Sequence, residues 1–132
     1  PPFLPDNKDT PRTQIFAEAF KKKYGQYPGS SGAGGFNGIE SIMEAVKTAA
    51  TLDTEAVIDT MESMTYKNSI FDPNTHFRKA DHLLVGGLYT IEVIKDPKYT
   101  YGGKVIDYNP DPSTFLPPED KTGCDENMKK RT

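Results

Sequence analysis

At 132 residues the chain has room for one domain, which would bury about 65–70% of its unfolded surface. A net charge of -3 with scattered basic residues gives no footprint for nucleic acid, and no apolar run reaches the about 18 residues that would span a membrane. Hydrophobic content is 35%, and glycine and proline number 11 each. The polar excess gathers at the ends, so residues 1–12 read as an extended Pro-rich arm and residues 109–132 as an extended charged tail.

The chain opens at Pro1 on a stretch that begins no element, which reads as a piece cut from a longer protein. Thr10 can cap a first helix with Pro11 at its first position, where the missing N–H costs nothing. Ile15, Phe16, Ala19, Phe20 and Tyr24 recur at helical spacing, and Gly25 closes that helix. The stretch Gly25–Gly35 then reads as a glycine-rich break. Beyond it Phe36, Ile39, Ile42, Met43 and Val46 repeat an apolar stripe, expected to be buried, down to Ala49–Ala50. So glycine-rich a break suggests a backbone that approaches something closely, either a ligand or a neighbouring strand.

A third helix is signalled by Asp53 as N-cap, Glu55 in the first turn and the apolar face Val57, Ile58, Met61 and Met64. The short linker Thr51–Leu52 makes helices two and three close neighbours. From Tyr66 the period changes. Ser69–Asp72 is a short apolar run ending in the turn signal Asp72-Pro73-Asn74, and His76–Lys79 reads as an edge strand or loop. His82–Lys95 is the strongest strand, with Gly86–Gly87 marking a bulge or a close crossing. Residues 96–103 suit a hairpin loop, and Lys104–Tyr108 a return strand.

Catalytic signals are weak. His76 and His82 stand in no metal-ligand spacing, and His82 beside Asp81 reads as a polar pair at an element's end rather than an oriented base. Ser30 and Ser31 lack the strand-to-helix elbow of a nucleophilic serine, and Gly32–Gly35 follows no hydrophobic strand as a dinucleotide loop would. Glu62, Glu92 and Glu119 have no paired-carboxylate spacing, and Cys124, the lone cysteine, reads as an inert thiol or as half of a bridge to a part outside this sequence. No catalytic residue, metal site or cofactor is expected. The break ahead of the Phe36 helix has a better use, since a helix N-terminus carries partial positive charge suited to a carboxylate or other anionic group. A flexible connector is the competing reading.

The pattern Phe16…Phe20-Lys-Lys-Lys-Tyr24-Gly…Tyr27-Pro28, then Gly35-Phe36-Asn-Gly-Ile39…Ile42…Ala45-Val-Lys-Thr-Ala49, then Leu52-Asp-Thr-Glu-Ala-Val-Ile58…Met61 resembles the C-terminal part of type I periplasmic solute-binding proteins. The branch it is similar to is the branched-chain amino-acid or leucine/isoleucine/valine-binding family of ABC transporters. Phe77-Arg-Lys-Ala-Asp-His82 and the tail Pro117-Pro118-Glu119…Thr122-Gly-Cys124 extend the likeness to about Thr10–Cys124. The resemblance implies an α/β fold present as a C-terminal fragment, three helices followed by a few terminal strands. It further implies a non-enzymatic, periplasmic or extracytoplasmic component that closes two lobes around an amino acid, an amide or an aromatic acid and delivers it to an ABC permease. The alternative it leaves open is a ligand-sensing regulatory domain of a receptor with the same fold. Ser31 and its neighbours Ser30 and Gly32 are the implied solute contacts, whereas Phe36 is expected in the core. Apolar helix faces normally covered by the N-terminal portion of such a protein would lead separate copies to self-associate.

Overall fold

The computed structural model describes Leu4, residues 10–98 and residues 100–124. Of the expected N-terminal arm and charged tail, residues 1–3, 5–9 and 125–132 lie outside the described residues. The element order is three α-helices followed by strands: α1 (Pro11–Tyr24), α2 (Ser30–Ala49), α3 (Thr54–Ser63), β1 (His76–Phe77), β2 (Leu84–Val85), β3 (Leu88–Asp96) and β4 (Thr100–Asn109). Short 3-10 turns at Pro112–Thr114 and Glu119–Lys121 follow.

Helix α1 takes in Pro11 and Arg12 from the end of the arm. It starts at Pro11, where proline's fixed φ suits the first turn, and ends at Gly25, whose φ of +77° few side chains tolerate. The Gly25 N–H donates to the Lys21 carbonyl, and Lys21–Lys23 place positive charge on the carboxyl end of the helix. The Thr10 side chain accepts from no helix N–H, although the Thr10 carbonyl accepts from the Thr13 N–H at 2.8 Å. Its hydroxyl meets that of Thr13 at 2.5 Å, while Thr13 donates to the Ile70 carbonyl at 2.6 Å.

Helix α2 corrects the expectation of a glycine-rich loop. It begins at Ser30, directly after the N-cap Gly29, so Gly32, Gly34 and Gly35 are helical. Glycine in a helix interior costs up to about 1 kcal/mol relative to alanine, and tertiary packing offsets it. Ala33, Asn37, Ser41 and Ala45, spaced four apart, are all buried, and a Cβ on Gly32 would stand 3.7 Å from the Phe20 ring. The buried face is therefore the small-residue face. The apolar stripe expected to be buried is instead largely open, with Phe36 36% exposed, Ile39 62% and Met43 53%. Phe36 is no core residue, although its ring stacks on Phe16 at 4.4 Å and so joins α1 to α2.

Helix α3 starts as its sequence indicates, with the Asp53 carboxylate accepting from the Ala56 N–H at 3.0 Å, and it packs on α2. Residues 65–75 then fold into a polar turn beneath α2, in keeping with the turn signal at Asp72-Pro73-Asn74. Tyr66 and Ile70 are its buried anchors. The Ile70 N–H donates to Asn37 Oδ1 at 2.9 Å, and the Ser69, Asp72 and Thr75 side chains bond among themselves and to the turn's backbone. Arg12 binds both oxygens of Glu40 at 2.9 and 3.0 Å and donates to the Asn68 carbonyl, while the Tyr66 hydroxyl donates to Glu40 at 3.0 Å.

The strands make two separate antiparallel pairs. Short β1 and β2 pair His76 with Val85 and Phe77 with Leu84. The long strand expected over His82–Lys95 is interrupted at Gly86–Gly87, so β2 and β3 belong to different sheets. The reason is crowding. A Cβ on Gly87 would lie 2.3 Å from the Tyr108 ring, and one on Gly86 would lie 3.0 Å from Thr75 Oγ1. The bulge falls further on, between Thr90 and Ile91. β3 and β4 form a hairpin pairing Leu88 with Asn109 through to Asp96 with Thr100, so the connection is three residues long and β4 is longer than expected. Lys98 in that connection binds Glu18 of α1 at 3.0 Å. Leu4 lies over the hairpin, with its Cδ2 2.6 Å from where a Cβ on Gly103 would sit.

Candidate functional site

A cavity of about 580 Å³ opens where α2 begins. Its first wall is the N-terminal half of α2, where Ser30, Gly34 and Asn37 recur at i, i+4 and i+7, with Ser31 beside them. Opposite are Phe71, Asp72 and Thr75 from the polar turn. The remaining wall is apolar, made by the segment from Leu83 to Leu88 together with Pro112 and Leu116 from the first 3-10 turn and its exit. A mostly apolar hollow with a few convergent polar groups is the usual form of a small-molecule site.

Of the residues singled out in the sequence, Ser30 and Ser31 line the cavity and Gly32 does not. Gly32 turns its α-carbon toward Phe20 on the other side of α2, which leaves it only backbone groups in the first turn. That turn has no acidic residue, and Gly29 at the N-cap has no side chain to accept from its N–H groups. The sequence reading missed Asn37, Asp72 and the apolar 83–88 segment. Asn37 is 1% exposed. Its carbonyl oxygen accepts from the Ile70 N–H, and its amide nitrogen has no hydrogen-bond partner among the described residues. The i+7 spacing from Ser30 was the available signal, masked by the glycines between.

Asp72 accepts one hydrogen bond on each carboxylate oxygen. Its Oδ1 accepts from the Asn74 N–H at 2.7 Å, and its Oδ2 accepts from the Tyr108 hydroxyl. Burial and the Asp72 carboxylate together push the Tyr108 phenol up to about 12. Tyr108 packs against Tyr89 at 4.7 Å between ring centres with the rings tilted by 32°, and the space over Gly87 is what admits its ring.

The histidines are placed elsewhere. His82, at φ +54°, turns away from its sequence neighbour Asp81 and meets Glu62 of α3 at 2.7 Å, with Lys79 3.7 Å from the other Glu62 oxygen. Asp81 pairs with Arg78, whose side-chain hydrogen bond holds that carboxyl below the usual aspartate range. Arg78 also donates to the Pro117 carbonyl at 2.9 Å and so fastens the tail to the body. His76 Nδ1 lies 3.1 Å from the Asn74 carbonyl. The dyad of His82 and Asp81 therefore does not form. Among the described residues no three His, Cys, Asp or Glu side chains group as metal ligands would, and no helix is long and apolar enough to cross a membrane.

Three helices followed by two antiparallel strand pairs, with a cavity at the start of α2, make a mixed α/β unit. A sequence model of the family described as periplasmic binding protein matches residues 1–98, and the chain belongs to that family, whose members in general bind solutes rather than catalyse. Among curated proteins the sequence finds no match. Among solved structures, the fold is similar to that of a periplasmic binding protein from Burkholderia mallei, solved at 1.80 Å resolution, with a TM-score of 0.75 and 18% identity. The likeness covers 92% of this chain and 32% of that one, so the chain spans about a third of that protein's length.

Proposed function

We propose that the chain is part of an extracytoplasmic solute-binding component of an ABC transporter, a non-enzymatic carrier that hands an amino acid, an amide or an aromatic acid to an ABC permease. The observation that carries this reading is the cavity of about 580 Å³ at the start of α2, bordered by Ser30 and Ser31, in a chain of the periplasmic binding protein family. Gly32 contributes through its first-turn backbone. The solute would favour a closed state by touching two lobes at once, since a ligand shifts a conformational equilibrium only by its differential affinity for the two states. This chain supplies one wall and the remainder of such a protein the other. The same remainder would cover the open apolar side of α2, and without it copies of the chain self-associate.

Calorimetry with branched-chain, aromatic and amide solutes tests the reading. Binding by the 132-residue chain alone is expected to be weaker than micromolar, because one wall forfeits the contacts of the other. Sub-micromolar binding would mean that the whole pocket is here. In amide NMR titrations at millimolar solute, shifts are expected at residues 30–37 and 83–88, and shifts confined to other regions would contradict the assignment of this cavity.

A further inference from the structure

The apolar side of the cavity is made by two stretches far apart in sequence, residues 83–88 and the tail residues Pro112 and Leu116. Arg78, itself 8% exposed, is joined to both. Its Nε and Nη2 donate to the two oxygens of Asp81, and Asp81 Oδ1 also accepts from the Leu83 N–H at 3.1 Å. The Arg78 backbone N–H donates to the Leu83 carbonyl at 3.0 Å, so the start of the 83–88 wall is fixed from two sides. The remaining guanidinium nitrogen, Nη1, donates to the Pro117 carbonyl at 2.9 Å. Pro117 and Pro118 carry no N–H, so a carbonyl is the polar backbone group this stretch can offer. The rest of the tail is lightly held. From residue 111 to residue 120, Pro112 is buried, Leu116 is half-buried and the others are exposed. Among the described residues, the other hydrogen bond that reaches residues 112–124 from the body is a long one, from the Ala80 N–H to Glu119 at 3.4 Å.

We propose that residues 112–117 form a strap across the apolar side of the cavity and that Arg78 is its clasp, so that this wall opens when one guanidinium contact is released. The inference rests on the reading of the cavity as the solute site and adds a way in that is separate from the closure of two lobes. A segment held by one buried side chain, one half-buried side chain and two hydrogen bonds opens at a small part of the cost of unfolding the body. When it lifts, Leu84 and Val85 lose a facing wall, while the pair of Arg78 and Asp81 keeps residues 83–88 in place. The 3-10 turns of the tail are three residues each. Turns so short do not persist unattached, so their amides meet solvent whenever the strap leaves.

Amide exchange, together with methyl NMR in the neutral nitroxide 4-hydroxy-TEMPO, tests this on the 132-residue chain with no solute added. The Phe115 and Lys121 amides close the two 3-10 turns. They are expected to exchange at least about tenfold faster than the amides paired between β3 and β4. Arg78→Lys keeps a charge against Asp81 but lacks the fork that also reaches Pro117. It should speed exchange at Phe115 and Lys121 by about a further tenfold, leave the hairpin amides unchanged and broaden the Leu84 and Val85 methyl signals in nitroxide. Leu116→Ala, with Arg78 and Asp81 intact, should do the same by removing the strap's apolar hold. Tail amides that exchange no faster than the hairpin, or that neither substitution accelerates, overturn the proposal. Faster tail exchange with Leu84 and Val85 no more open to nitroxide removes the tail from the cavity. Exchange accelerated throughout the hairpin in Arg78→Lys assigns Arg78 to the body and overturns its role as clasp. A failed solute reading shows instead as missing shifts in the titrations above, with these results unchanged.

Discussion

Tyr66 shows how one side chain can bind three segments of the chain. Its ring is buried, and its hydroxyl donates to Glu40 on α2, whose carboxylate is also gripped by Arg12 of α1. Burial, and then the adjacent carboxylate, push the phenol up to about 12, and Tyr108 is pushed as far by burial and Asp72. An unfolded tyrosine releases its proton near pH 10. Between about pH 10 and about pH 12 the folded chain therefore holds protons that the unfolded chain has lost, and stability falls as pH rises through that window. Urea midpoints measured from pH 8 to 12, alongside phenolate absorbance, should show this fall with the two phenolates forming late. Tyr66→Phe should flatten part of the alkaline fall. At neutral pH it should cost about 1 kcal/mol, since Glu40 loses one donor and keeps Arg12.

At the scale of elements, the glycines mark where the chain comes close to itself. Gly86 and Gly87 end β2 and admit the Tyr108 ring and the Thr75 hydroxyl, so the cavity wall and the base of the hairpin share one crowded point. Gly87→Ala would push a methyl group into the Tyr108 ring. Because the ring is held to Asp72 and packed against Tyr89, it has little room to yield, and a loss of about 1–3 kcal/mol is expected. A thermal melt of the variant within a degree of the parent would contradict this account. The pair was visible in the sequence as a place of close approach. Its partners were not, because Thr75 and Tyr108 reach it from 11 and 21 residues away. Helix α3 was legible down to its cap, since Asp53, Glu55 and the spacing that follows are local signals. The start of α2 was not. Glycine weighs against a helix locally, and only contact with Phe20 and the 65–75 turn makes a small-residue helix favourable there.

For the whole molecule, the distribution of apolar surface is the telling property. Ile15 is 70% exposed, and Ile39, Ile42 and Met43 stand open on α2, while the hairpin leaves Val93 and Ile106 open as well. Soluble monomers rarely leave so much apolar side chain uncovered on neighbouring helices without a use for it. Self-association of the 132-residue chain is therefore expected. Sedimentation velocity over a hundredfold range of concentration should show a rising weight-average mass, and Ile39→Lys with Met43→Lys should abolish the rise. A monomer throughout the range would count against self-association.

Local sequence determined the number and order of the helices, the closure of α1 at Gly25, the capping of α3 and the hairpin near the end. Each of these follows from spacing, caps and turn residues within a few positions of one another. The resemblance to periplasmic solute-binding proteins was equally legible, being a matter of ordered short patterns along one line. Tertiary structure alone decided which face of α2 is buried, why Gly86–Gly87 interrupts a strand, and that Asn37 rather than Gly32 stands beside Ser30 in the cavity wall. The physical reason is that burial and hydrogen-bond satisfaction are properties of partners far apart in sequence. A donor with no partner can be recognised only after every other group in the fold has found its own.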